Sequence, residues 1–192
     1  MRMFVAVQPP EQVLEDLAGF VEPRRDVDSP LRWSRPEQWH ITLAFLPSVA
    51  EQKLDGLIER LAETAASRPS FDLRLAGAGA FPNPARARVF WAGLSGDLAE
   101  LGHLAGNLRS AAGRAGTQVE GGEFRPHLTL ARLGRPLDVT RWLRVFALYA
   151  SAGWQVSEVL LFSSQLGGGP ARHTVVEQFP LKQPIDGDCR SD

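Results

Sequence analysis

His40-Ile41-Thr42-Leu43 recurs as His127-Leu128-Thr129-Leu130, 87 positions later (127 − 40) in a chain of 192 residues. Imidazole is the side chain whose ordinary pKa lies near neutrality, so two of them at one site can serve as an acid and a base. On a strand, residues i and i+2 share a face. Each copy therefore displays a histidine and a threonine together, about 7 Å apart along the strand. Ile41, Leu43 and Phe45, and likewise Leu128 and Leu130, turn into a core. A tetrahedral oxyanion fits the span between imidazole and hydroxyl. Two such arms related by a pseudo-twofold axis would grip a phosphodiester from both sides, with one imidazole beside the entering oxygen and one beside the leaving oxygen. Proton transfer and hydrogen bonding cover the charge development there, so the arrangement calls for neither metal nor cofactor.

The elements that must hold these arms follow from periodicity. Met3 to Val7 reads as a buried strand ended by Pro9-Pro10, and Val13, Leu14, Leu17, Phe20 and Val21 then recur at helical spacing. A polar loop from Glu22 to Pro30 precedes strands over Leu31–Trp33 and Trp39–Leu46. Ser48 and Glu51 form a capping box before a helix with Leu54, Leu57, Ile58, Leu61 and Ala65 on one stripe. Phe71 to Leu75 alternates as a half-buried strand, Gly77 to Ala85 reads as turn, and Arg88 to Trp91 as strand. Leu98, Leu101, Leu104, Leu108 and Ala112 trace a long helix with Gly113 and Gly116 as terminators. The second motif strand begins near Pro126, a weakly periodic helix covers 139–149, and strands cover 156–162 and 174–181. Residues 183–192 read as a disordered tail after a single unit, 1–182, made of two intimately joined lobes. Hairpin-like strand pairs interrupt the alternation of strands and helices, which favours an α+β protein over a doubly wound parallel sheet.

Composition excludes several classes. The formal net charge of −1 advertises no long nucleic-acid track, so an anionic substrate must be small or held by local arginines. Lysine occurs only at 53 and 182; the excess of arginine suits bidentate phosphate contacts, although base composition of the genome produces the same bias. One cysteine, Cys189, excludes an internal disulfide and fits a reducing, cytoplasmic setting. No signal-peptide core and no run of 18 apolar residues is present, so no membrane partner is expected. Neither G-x-G-x-x-G nor a Walker-type Gly-Lys-Ser/Thr occurs, which disfavours dinucleotide and P-loop sites. A monomer is the default state.

With both motifs in view, the chain resembles the two-histidine (2H) phosphoesterases, whose signature is a pair of His-x-Thr/Ser-x motifs with x apolar. It is similar in particular to the bacterial and archaeal RNA 2′,3′-cyclic phosphodiesterases, once called 2′-5′ RNA ligases. The likeness covers nearly the whole chain. It takes in Arg2-Met3-Phe4-Val5-Ala6, Trp33, Leu43-Ala44-Phe45-Leu46, Phe81-Pro82, Arg88-Val89-Phe90-Trp91, His127 to Arg132, and Leu161 to Leu166. The resemblance implies two pseudo-symmetric antiparallel sheets backed by helices, with an active-site groove between them. It implies metal-independent hydrolysis of RNA ends or nucleotides bearing a 2′,3′-cyclic phosphate to 2′-phosphomonoesters. Carried over by position, His40 is the general acid for O3′ and His127 the base that activates water. Thr42 and Thr129 hold the non-bridging oxygens, and Arg132 clamps the phosphate. Strict alternation places Arg132 on the core face, so either the strand ends or bulges after Leu130 or the side chain snorkels outward. The resemblance departs at His173, where relatives often carry Tyr.

Plainer readings apply elsewhere. His103 lies off its helix's apolar stripe and is a solvated residue, while His173 stands open between surface and cleft wall. Trp33, Trp39, Phe81 and Trp91 could stack on a base, although a tryptophan is more often core. Trp39, beside His40, and Phe81, beside a turn, are the stacking candidates. Arg88 is open between groove and surface, and Arg35, Arg86 and Arg125 read as solvated. Two alternative functions remain: 2′-5′ RNA ligation, the same chemistry reversed, and non-catalytic binding of RNA ends.

Overall fold

Five consecutive apolar residues, Met3–Val7, can all be buried only if a strand is flanked on both edges and covered on both faces, and β1 (Met3–Val7) is. The computed structural model describes residues 1–25, 30–165, 167 and 171–183. In it β1 pairs antiparallel with β3 (Ile41–Leu46) on one side and β8 (Glu158–Gln165) on the other. Met3, Val5 and Val7 enter the main core, whereas Phe4 and Ala6 join Leu160 and Phe162 in a small second cluster on the opposite face.

The remaining elements are α1 (Glu11–Val21), β2 (Leu31–Trp33), α2 (Leu54–Ala66), β4 (Phe71–Phe81), β5 (Ala87–Gly96), α3 (Leu98–Arg114), β6 (Leu128–Leu137), α4 (Thr140–Phe146), β7 (Trp154–Val156) and β9 (Arg172–Pro180). The strand order is β7-β4-β5-β6-β3-β1-β8-β9, with β2 added beside β6. The α+β, antiparallel architecture expected from the sequence is present. The expected two sheets are joined into one curled sheet: four strands make the half with the first motif, five (β2 included) make the half with the second, and the halves meet at the single pair Ile41↔Leu128. The two motif strands are thus the seam of the molecule.

Helices cover the core face. α1 buries Val13, Leu17 and Val21, and its Phe20 meets Phe146 of α4 edge-on at 5.0 Å. Leu57, Leu61 and Ala65 of α2 pack in the same core as Leu101, Leu104 and Leu108 of α3. α3 ends where Gly116 takes φ +72°, its N–H bonding the Gly113 carbonyl at 2.9 Å while Thr117 N–H bonds that of Ala112 at 3.2 Å. That paired return satisfies the last carbonyls of the helix.

Several expectations need correction. The Ser48/Glu51 capping box does not form: α2 begins at Leu54 after a short 3-10 turn, Glu51–Lys53, and neither start carries a side-chain cap. Gly77 to Phe81 is strand, not turn. Gly77, at φ +67°, sits in a bulge of β4, and Gly79 leaves room for the Trp91 ring, which a Cβ there would meet at 2.1 Å. The three-residue β7 went unread. The motif strand starts at Ile41 rather than Trp39. Apart from Gln183, which is exposed and outside any strand, the expected tail lies outside the described residues, as do Cys189 and most of the Gly167-Gly168-Gly169 turn.

Candidate active site

Antiparallel pairing of Ile41 with Leu128 carries a geometric consequence. Its flanking residues face each other in register, His40 towards Thr129 and Thr42 towards His127. With neighbours about 5 Å apart across the pair and about 7 Å along each strand, the two histidine Cα positions lie about 9 Å apart on the diagonal. All four side chains line one groove of about 740 Å³. His40, Thr42, His127 and Thr129, nominated from the repeat, are brought together.

Each motif strand bulges at the same point. Opposite β1, the register steps from Ala6↔Thr42 to Val5↔Ala44; opposite β5 (Ala87–Gly96), it steps from Trp91↔Thr129 to Phe90↔Ala131. Leu43 and Ala44 are therefore both buried, as are Leu130 and Ala131, and the alternation restarts one residue later. That restart turns Arg132 out to the groove beside Thr129, choosing the bulge over snorkelling. It also overturns the expectation for Phe45, the counterpart of Arg132: Phe45 leaves the main core and packs against the Phe4/Phe162 cluster. Arg109 of α3 secures the first bulge by donating Nε–H to the Leu43 carbonyl at 3.0 Å.

Local sequence aims the imidazoles. Pro36 opens a 3-10 turn, Pro36–Gln38, and Trp39 after it is buried at 1% exposure. His40, next in the chain, then points to the groove. Trp39 is accordingly a core anchor and cannot stack on a base, contrary to the sequence reading. The His40 ring stacks on Phe4 at 4.5 Å, with Phe162 at 6.0 Å and His173 edge-on at 5.5 Å. His127 is braced edge-on by Phe81 at 5.0 Å and by Trp91 at 5.9 Å. Each imidazole bonds the carbonyl two residues upstream, Gln38 for His40 and Arg125 for His127. At 2.6 Å the Arg125 carbonyl accepts from Nδ1–H of His127, which leaves Nε2 with a lone pair towards the groove.

Burial makes both rings hard to charge. Burial, above all, and then repulsion from His173, His127 and Arg132 push His40 down to about 4, against the pull of the Gln38 carbonyl. Burial and Arg132 lower His127 as well, and burial and Arg2 lower His173. At neutral pH these imidazoles are therefore neutral beside Arg2, Arg32 and Arg132, and among the described residues no Asp or Glu lines the groove. The site is built to receive an anion.

Other residues fall as follows. Phe81, half-buried, lines a side hollow of about 210 Å³ with Phe45, Phe124 and Arg109, opening onto Thr42 and His127. Trp33 forms groove wall and packs on Trp142 at 5.5 Å. His103 is a surface residue 3.6 Å from Glu100. Arg88 is exposed and away from the groove, and Arg125 is exposed and paired with Glu123 at 2.9 Å. Sequence reasoning missed Arg2, Arg32, Gln38 and Ser164, and left His173 open; all five line the groove. One signal was present: Arg2, Phe4 and Ala6 alternate with the core residues Met3, Val5 and Val7. Gln38, whose Nε2 donates to the Ala171 carbonyl at 3.0 Å, has no local signal. Among the described residues, no group of three or more His, Cys, Asp or Glu is placed to hold a metal, and no helix is long and apolar enough to cross a membrane.

Comparison with known proteins gives concordant matches. The family described as LigT like phosphoesterase matches residues 7–91 and 94–171. An RNA 2′,3′-cyclic phosphodiesterase of Archaeoglobus fulgidus is 36% identical over 135 residues, 70% of this chain and 74% of that protein. One of Geobacillus stearothermophilus is 34% identical over 157 residues, 81% of this chain and 49% of the relative, so the match spans about half of that protein's length. Escherichia coli LigT in its apo form superposes with a TM-score of 0.77 at 28% identity, covering 95% of this chain and 98% of that one. The same protein complexed with 3′-AMP gives a TM-score of 0.77 at 26% identity, with the same coverage.

Proposed function

The chain belongs to the LigT-like phosphoesterases, a 2H phosphoesterase family, and on that premise we propose that it hydrolyses 2′,3′-cyclic phosphates at RNA ends to 2′-phosphomonoesters without a metal. The observation that carries the reading is the seam pair Ile41↔Leu128, which sets two His/Thr pairs on one face of a cationic groove. His127, with Nε2 unprotonated, takes a proton from water as that water attacks phosphorus. The P–O3′ bond opposite breaks, and His40 protonates the departing O3′. Thr42 and Thr129 donate to the non-bridging oxygens, and Arg132 meets the charge that builds on them. Phe81, at the wall of the side hollow, offers a face for a base.

His40 cannot act as an acid at a pKa of about 4 unless something raises it. The phosphate does so, because its negative charge beside the ring favours the imidazolium. Residues 1–182 act as one unit in this account, since each half supplies one imidazole. A cytoplasmic setting, suggested by the near absence of cysteine, belongs to the same proposal.

The test is hydrolysis of a nucleoside 2′,3′-cyclic phosphate in excess EDTA, followed by ³¹P NMR. Full activity with a 2′-phosphate product is expected. Loss of turnover in EDTA would overturn the metal-free step, and a 3′-phosphate product would overturn the assignment of O3′ as the leaving oxygen.

A further inference from the structure

The groove holds more positive charge than one phosphate requires. Arg2, Arg32 and Arg132 line it beside three histidines, in a chain of formal net charge −1. A cyclic phosphate carries one negative charge, and Arg132 next to Thr129 already meets it. Arg32 stands beyond. β2 runs antiparallel to β6 in the register Leu31↔Leu133, Arg32↔Arg132, Trp33↔Ala131, so the two arginines are direct cross-strand neighbours. Like charges directly opposite one another destabilise a strand pair. Among the described residues no carboxylate offsets them: the ion pairs there involve Arg25, Arg68, His103 and Arg125. The Arg32 guanidinium reaches along β6 to Gly134, within 3.6 Å of where a Cβ would stand. It therefore lies past Arg132 on the side away from Thr129. Its strand is held firmly, with Leu31 buried and Trp33 packed against Trp142.

We propose that Arg32 binds a second phosphate of the substrate, the phosphodiester immediately 5′ of the terminal nucleotide, so that the groove selects oligonucleotide ends over free cyclic nucleotides. This rests on the cyclic-phosphate reading above and names the residue that sets its substrate length. A guanidinium takes two oxygens of one phosphate as a fork. Two guanidinium groups on adjacent strands accordingly suit two successive phosphates, and a polyanion converts their repulsion into attraction. A nucleoside 2′,3′-cyclic phosphate has no group for Arg32 to hold.

The experiment compares kcat/KM of the wild-type chain and Arg32→Gln on two substrates. One is a dinucleotide with a single internal phosphodiester and a terminal 2′,3′-cyclic phosphate, and the other is the nucleoside cyclic phosphate alone. The variant loses about tenfold on the dinucleotide, the scale of one charge-assisted contact, and stays within about twofold on the nucleotide. The slope of log affinity against log salt for the dinucleotide also falls by about 0.7, one phosphate contact's worth for a single strand. Equal losses on both substrates, or none on either, would overturn the proposal. If the wild type turns over neither substrate, the hydrolysis reading has failed separately. Calorimetric affinities for the dinucleotide 2′-phosphate and the nucleoside 2′-phosphate then decide: a loss confined to the dinucleotide supports Arg32, and unchanged affinities refute it.

Discussion

Filling the groove with an anion should protonate His40. In the free protein its pKa lies at about 4, held there by burial against Phe4 and Phe162 and by the nearby charges of His173, His127 and Arg132. A single negative charge about 4 Å from the ring, at an effective dielectric of about 20, is worth about 4 kcal/mol. At 1.36 kcal/mol per pKa unit this amounts to roughly three units, which brings His40 to about 7. The sign is fixed: an anion favours the charged imidazole, so the pKa can only rise. ¹H–¹⁵N NMR of the ring nitrogens, recorded against pH with and without saturating nucleoside 2′-phosphate, measures the shift directly. Calorimetry at pH 6 in buffers of different ionisation enthalpy should show proton uptake on binding. The alkaline limb of kcat, which reports the complex, should lie about three units above the free-state midpoint of His40. A His40 midpoint that stays at about 4 in the saturated complex would refute the assignment of this residue as the acid.

Three further outcomes follow from named contacts. Arg132→Ala should lower kcat/KM by about 10² with an unchanged circular dichroism spectrum, and Arg132→Lys should recover only part, because an ammonium lacks the fork. Folding stability should fall in acid: the unfolded chain binds a proton at His40 near 6.5 and the folded chain only near 4, so on the order of 3 kcal/mol is lost as pH drops through that window. Urea melts from pH 7 to 4 give the slope, and His40→Phe should flatten it; the same slope in the variant would contradict the linkage. Gly79→Val should displace Trp91 at a cost of about 1–3 kcal/mol, read as a Tm several degrees lower, since a Cβ would stand 2.1 Å from that ring.

What the sequence made legible was set by how local each cause is. The His/Thr arms could be read because a strand's period of two and a repeat are both visible along the chain. Arg132 could be read only as a dilemma, since a bulge is a relation between strands; the same bulge hid Phe45, whose place depends on pairing with β1. Trp39 failed as a stacking candidate for a reason already implicit in alternation: if His40 faces the groove, its neighbour faces the core. β4 outran its expected end because Gly79 answers to Trp91 on the next strand. Arg2 reaches the groove from just ahead of β1, and Arg32, Ser164 and His173 from β2, β8 and β9, and no spacing along the chain encodes that meeting.

The most direct test of the two-imidazole mechanism is the single-turnover rate on a 2′,3′-cyclic phosphate for His40→Ala and His127→Ala beside the wild type. Each substitution should cost at least about 10²-fold while the fold persists, because positioned proton transfer is worth about that per group. Either variant turning over at the wild-type rate would contradict the central claim.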